Sequence, residues 1–253
     1  MTPSRTVTPS LEPLPDTTAS RSRILGALRS GTAGAAGVAL PSPDLAAYRA
    51  GPYGRGCAGP RPDPASLVPA FEAAARGWRA DVLHAEPHAW PQVLRDTLIR
   101  HRCRHVATGS APRLRAGLTQ ALADLKVTHF DRPISQWKAE LFDSVDAGVT
   151  DTWAGIADTG TLVLRPGPDE PRTLSLVPPL HVALLWVSTL YAGLPAAMRD
   201  LAPEQDMPTN LLLITGPSKT ADIQQTLAFG AHGPKQLSII VVHDVIAGAG
   251  ATP

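Results

Sequence analysis

From Ser66 onward the spacing of apolar residues switches repeatedly between two periods. Val68, Phe71 and Ala75 recur at helical intervals, and Gly77 closes that run. The stretch Asp81 to His84 then has the length and composition of a strand, and Pro91 to Arg100 reads as a second helix. His105 to Thr108 reads as a strand, and Leu114, Leu118, Leu122 and Leu125 mark a third helix. The same reasoning predicts a strand at Val145 to Val149, a helix near Asp151 to Ala157, and strands at Thr161 to Arg165, Leu174 to Val177 and His181 to Val187. A helix around Leu190 to Leu201, a strand at Leu211 to Thr215, a helix from Ser218 to Phe229 and a last strand at Leu237 to Val242 complete the series. Alternation of this kind predicts an α/β fold with a largely parallel sheet covered by helices on both faces.

The first quarter of the chain reads differently. Residues 1–20 are rich in Pro, Ser and Thr and are expected to form a disordered tail. Ser20 is expected to cap a short helix carrying Ile24, Leu25 and Leu28, which Gly31 ends. Gly, Ala and Pro dominate Gly31 to Pro64, where no period is assigned. The expected organisation is therefore a tail (1–20), a short helix with an irregular Gly/Pro-rich segment (21–65), and one α/β domain (66–253).

Composition narrows the function classes. Hydrophobic residues are 43% of the chain and charged residues 18%, so a sizeable core can form. Lys plus Arg number 23 against 22 acidic residues, which supplies no basic surplus for nucleic-acid phosphates. Cys57 and Cys103 lie far apart, outside any CxxC pair, which points to reduced thiols in a cytoplasmic setting. The N-terminal segment lacks the apolar core of a signal peptide, and no membrane-spanning run is expected. His101 and His105 are four apart, but Arg100, Arg102 and Arg104 oppose a divalent ion, so no metal site is assigned.

Two turns carry the candidate chemistry. Leu211 to Ile214 runs into Thr215, Gly216, Pro217, Ser218, Lys219 and Thr220. If a helix begins there, its unpaired amides, three hydroxyls and one cation favour an anion. A plain capped helix reads equally well. The glycine pattern of a P-loop is absent, and nucleotide hydrolysis is disfavoured. Ligands of open α/β sheets collect at strand ends, which is where this turn is expected. Asp158, Thr159, Gly160 and Thr161 form the second turn, with Asp158 available as a general base or Gly160 simply ending a helix. His181 and His232 are either hydrogen-bond donors to a ligand or structural histidines.

Three segments together resemble the LUD-domain family, in its LutC/YkgG branch, the lactate utilization protein C proteins. They are Gly148 to Leu164 with its Ala157-Asp158-Thr159-Gly160-Thr161 core, Arg172 to Val182 with Pro178-Pro179-Leu180-His181, and Ile214 to Ile223 followed by Leu227 and Gly230 to Pro234. The resemblance covers roughly Asp81 to Val242, and the Arg23 to Leu28 helix is also typical; Gly31 to Pro64 departs from it. It implies a fold similar to the NagB/RpiA/CoA-transferase-like superfamily, and a role in oxidising L-lactate to pyruvate beside partners that carry iron–sulfur clusters. With two isolated cysteines and no dinucleotide fingerprint, this chain is expected to hold no redox cofactor itself. The leading expectation is a non-redox subunit or accessory protein that binds a small carboxylate or phosphate-like anion through the two turns. The alternatives are a stand-alone isomerase or CoA-transferase-like enzyme using Asp158, and a sensing or assembly module without chemistry.

Overall fold

The computed structural model describes residues 18–33, 61–130, 134–201, 210–221, 227–229 and 232–245. Its contacts separate residues Met1–Leu45 from Ala46–Pro253. In the first unit, α1 spans Thr18–Ala33. It starts before Ser20 and continues through Gly31, so neither residue bounds it as expected. Ile24 and Leu28 are exposed on its surface.

The second unit is built on a six-stranded sheet whose order is β1-β12-β7-β4-β2-β3. These strands are Asp81–Ala85 (β1), His105–Thr108 (β2), Lys126–His129 (β3), Ala147–Asp151 (β4), Leu180–Trp186 (β7) and Gln236–Val242 (β12), and every pairing among them is parallel. Strand β7 explains why the sheet is central. All seven of its residues are buried, because alternate side chains enter different cores. Leu180, Val182, Leu184 and Trp186 join Leu94 and Leu98 of α3 (Trp90–Arg100) and Leu118 and Ala121 of α4 (Arg115–Ala121). Ala183, Leu185 and Val187 face the other way, toward Val68, Phe71 and Ala75 of α2 (Pro64–Gly77). Asp63 caps α2 by accepting from the Ala65 N–H, and Pro64 occupies the first helical position, where no N–H is missed.

A second sheet lies on the α2 side and was not expected. Its order is β8-β5-β6-β9, formed by Ala154–Ile156 (β5), Thr161–Leu164 (β6), Leu190–Tyr191 (β8) and Leu212–Ile214 (β9). It displaces the helix expected over Asp151 to Ala157. That segment is instead the end of β4 followed by β5, with Gly155 pressed so near Leu185 and Leu190 that an added Cβ would sit 2.7 Å from the Leu190 side chain. Two further expectations fail. Leu174 to Leu176 lies in α6 (Thr173–Leu176), with Val177 as its C-cap before Pro178 and Pro179, because a short, mostly apolar run does not by itself distinguish helix from strand. The helix from Ser218 to Phe229 is absent: Lys219–Ala221 (β10) and Leu227–Phe229 (β11) pair as an antiparallel hairpin, Lys219 opposite Phe229.

Helices α5 (Lys138–Asp143) and α6 cover the sheet beneath Ala107, and α7 (Leu194–Leu201) packs on the second sheet through Ala196 and Ala197. Among the described residues no helix is long and apolar enough to cross a membrane.

Candidate functional site

The chain leaves β2 toward β3 on one side and leaves β4 toward β7 on the other, so the crevice at the carboxyl ends of β2 and β4 is the topological switch point, where ligands of open α/β sheets collect. Four segments converge there. Asp151 ends β4, and its Oδ1 accepts from the Trp186 indole N–H at 2.8 Å and from the Thr152 amide at 2.9 Å. Over the Trp186 ring lies Arg113, its guanidinium carbon 3.5 Å from the ring centroid and its Nη2 3.0 Å from Asp244 Oδ2. Asp244 also accepts from the amide and hydroxyl of Ser188.

Glu170 closes the fourth side. Its Oε1 accepts from the Asp151 amide at 3.1 Å, while Ser110 donates through its amide and hydroxyl to Asp169. Gly109 makes this possible, since a Cβ there would lie 2.3 Å from the Asp169 carbonyl and 2.5 Å from Glu170 Cγ. Burial pushes the Glu170 carboxyl up to about 7, against the Asp151 amide that favours its ionised form and with the charges of Asp151 and Asp169. Asp151 is raised as well, chiefly by burial, although Trp186 and Arg113 oppose the shift. A carboxyl group titrating near neutrality can both donate and accept a proton. Past Gly109 and Ser110 opens a cavity of about 640 Å³, lined by Arg115 and His129 as well as by Leu118, Leu122 and Val127. It combines the Arg115 guanidinium with apolar wall, as a site for a small organic acid would.

The two turns singled out in the sequence do meet, but elsewhere. Thr161 Oγ1 lies 2.7 Å from Thr215 Oγ1 and donates to Thr159 Oγ1 at 2.8 Å. Gly160 and Gly216 have φ of +63° and +83°, and both press on the last turn of α2 and the residue after it. An added Cβ would lie 2.3 Å from the Ala75 amide nitrogen at Gly160 and 2.6 Å from the Trp78 carbonyl at Gly216. Asp158 is exposed, with its amide donating to the Ala192 carbonyl. Ser218 donates its amide to Pro234 and packs against Gly233, next to the exposed His232.

The position and the chemistry of this second cluster differ from expectation. Pro217 shares a cavity with Arg79, Asp81 and Gln236, which places the Thr215 to Lys219 turn at the amino edge of the parallel sheet. No helix starts at Ser218, so the aligned amides invoked for an anion are not formed there; Thr220 pairs with Ala228 in the hairpin.

His181 belongs to neither edge as a ligand group. It is 1% exposed, its Nε2 sits 2.8 Å from Thr150 Oγ1, its Nδ1 has no partner, and burial lowers its pKa to about 3. It is a neutral core histidine. His105 is likewise occupied, by Thr128 and the Ser144 carbonyl. Glu170, Asp151 and Arg113 escaped the sequence reading. Their importance arises from packing between distant segments, and only the acidic Asp169-Glu170 pair beside Pro171 offered a signal.

Comparison with known proteins adds a family. The LUD domain model matches residues 68–242. An uncharacterized protein of Neisseria meningitidis serogroup B is 42% identical over 175 residues, 68% of this chain and 75% of that protein. Two proteins named lactate utilization protein C are also similar. The one from Halalkalibacterium halodurans is 31% identical over 65% of this chain and 74% of its own length, and the one from Oceanobacillus iheyensis is 26% identical over 64% and 73%. Among solved structures, a DUF162 family protein from Deinococcus radiodurans superposes with a TM-score of 0.52, at 24% identity, over 71% of this chain and 98% of that one, which shows a shared fold.

Proposed function

The chain belongs to the LUD-domain family, and on that premise we propose that it is a non-redox component of an L-lactate utilisation system. In this reading it binds the small hydroxy acid, or the pyruvate made from it, at the carboxyl-edge crevice. The observation that carries the metabolic assignment is its likeness, over about two thirds of the chain, to proteins named lactate utilization protein C.

The crevice supplies the chemistry this role needs. Arg115 offers positive charge to a carboxylate, Leu118 and Val127 accept its methyl group, and Glu170, outside the cavity wall, stands on the other side of Gly109 with its carboxyl pushed up to about 7 by burial. Electron transfer then falls to iron–sulfur partner proteins in the cytoplasm. Buried Cys103, with its thiol pushed up to about 11, is poorly suited to ligate a cluster. The test is reconstitution. L-lactate oxidation by the iron–sulfur partners should fall when this chain is withheld and return when it is added; an unchanged rate ends the proposal.

A second reading, a stand-alone isomerase or CoA-transferase-like enzyme, is favoured by the Glu170 titration rather than by exposed Asp158. It predicts that purified protein turns over a sugar phosphate or acyl-CoA, with Glu170→Gln abolishing turnover and Asp158→Asn sparing it.

A further inference from the structure

The amino edge of the parallel sheet has its own cavity, on the far side from the crevice. About 290 Å³ in volume, it is bordered by Arg79, His101 and Lys235, with Ser238 among its lining residues. Three chain segments bring these side chains together, of which Arg79 and Lys235 are the cations. Arg79 follows α2, in the left-handed region at φ +68°, His101 caps the end of α3, and Lys235 precedes β12.

Part of this charge is explained by the fold, because a cation such as Arg79 suits the carbonyl end of α2. The rest is not. Lys235 belongs to neither helix, and Asp81, the acid lining the cavity, is bridged by Arg100 at 3.1 Å. Ser238 adds an independent observation. It is 1% exposed, its hydroxyl has no hydrogen-bond partner, and a buried hydroxyl is rarely left so. An oxyanion received among these cations would accept from that hydroxyl.

Arg79 and Pro217 also border a second cavity of about 410 Å³, whose other walls include Trp78, Thr215 and Lys219. Trp78 is 52% exposed, an unusual condition for an indole and one that leaves ring surface open to stacking. The two adjoining spaces thus present a cationic pocket with a buried hydroxyl beside an aromatic platform.

We propose that this edge binds a phosphate monoester attached to a flat ring, the phosphate held among Arg79, Lys235 and Ser238 and the ring stacked on Trp78. The assignment is independent of the lactate reading, since it concerns the opposite edge of the sheet and is tested by binding alone.

The experiment is calorimetric titration of the full chain with adenosine monophosphate and, separately, with inorganic phosphate. Lys235→Gln should weaken both by about ten-fold or more, because a charge-assisted contact is lost. Trp78→Ala should weaken the nucleotide at least about five-fold and leave phosphate nearly unchanged. Both side chains are exposed, so the variants retain the fold, with circular dichroism as the control. Absence of binding by both probes up to about 10 mM, or affinities indifferent to Lys235→Gln, overturns the site. Phosphate binding with no gain for the nucleotide and no effect of Trp78→Ala overturns the ring assignment.

Discussion

Glu170→Gln is the sharpest perturbation of the crevice. The amide keeps an oxygen that can accept from the Asp151 N–H at 3.1 Å and nearly preserves shape, but removes the titration. In the folded protein the Glu170 carboxyl rises from 4.5 to about 7, mainly because burial disfavours its charge. A raised carboxyl pKa means the folded state binds more protons than the unfolded chain between those values. Native stability contributed by the protonated form is therefore full below pH 4.5 and is lost as pH rises through 7. A displacement of about two and a half pH units, at roughly 1.4 kcal/mol each, sets a ceiling of about 3.5 kcal/mol. Urea denaturation should show Glu170→Gln close to wild type at pH 5 and up to about 3.5 kcal/mol more stable at pH 8. A stability difference that stays constant with pH, or one that favours wild type as pH rises, would refute the assignment of Glu170 as a buried acid.

Three further outcomes follow from the same geometry. His181, neutral in the core with a pKa near 3 against an ordinary 6.5, should cost stability as pH falls below 6.5, at up to about 1.4 kcal/mol per pH unit; His181→Gln should flatten that limb of the urea-midpoint curve. Because the His181 and Glu170 slopes have opposite signs between pH 4.5 and 6.5, each single variant should unmask the other in this window. Trp186→Phe removes the indole donor from Asp151 and should destabilise by about 1 to 3 kcal/mol in the same assay, more at pH 8 than at pH 4. Gly160→Ala combines a φ of +63° with a Cβ 2.3 Å from the Ala75 nitrogen and should lower stability by at least about 2 kcal/mol, visible as a lower Tm.

Five of the six strands of the parallel sheet were legible, because runs such as β7 and β12 are largely apolar and bounded by turn residues and α3 keeps a clear period; β3, Lys126–His129, alternates too briefly and was missed. Of the second sheet, β6 and β9 were legible as strands, but β5 and β8 and their pairing into a separate sheet were not. Ala154, Gly155 and Ile156 are small or branched residues squeezed between two layers, and neither period survives in three positions. Asp158 to Thr161 and Thr215 to Gly216 were correctly seen as turns, and the Thr161–Thr215 hydroxyl contact brings them together. What could not be read was which edge they occupy. That depends on α2, whose last turn receives Gly160 while Trp78 just beyond it receives Gly216, and on a hairpin standing where Ser218 was taken to open a helix. Glu170 was invisible for a similar reason, since its raised pKa comes chiefly from burial, with Asp151 of β4 and the neighbouring Asp169 acting on it, a packing that the sequence does not display.

Amide chemical shifts recorded while L-lactate is titrated into the labelled protein test the central claim most directly. The account predicts that the largest changes fall at Gly109, Ser110, Arg115 and Asp151, and that Glu170→Gln alters them. Shifts confined to Thr215, Gly216 and Lys219, or no shifts at saturating lactate, would contradict it.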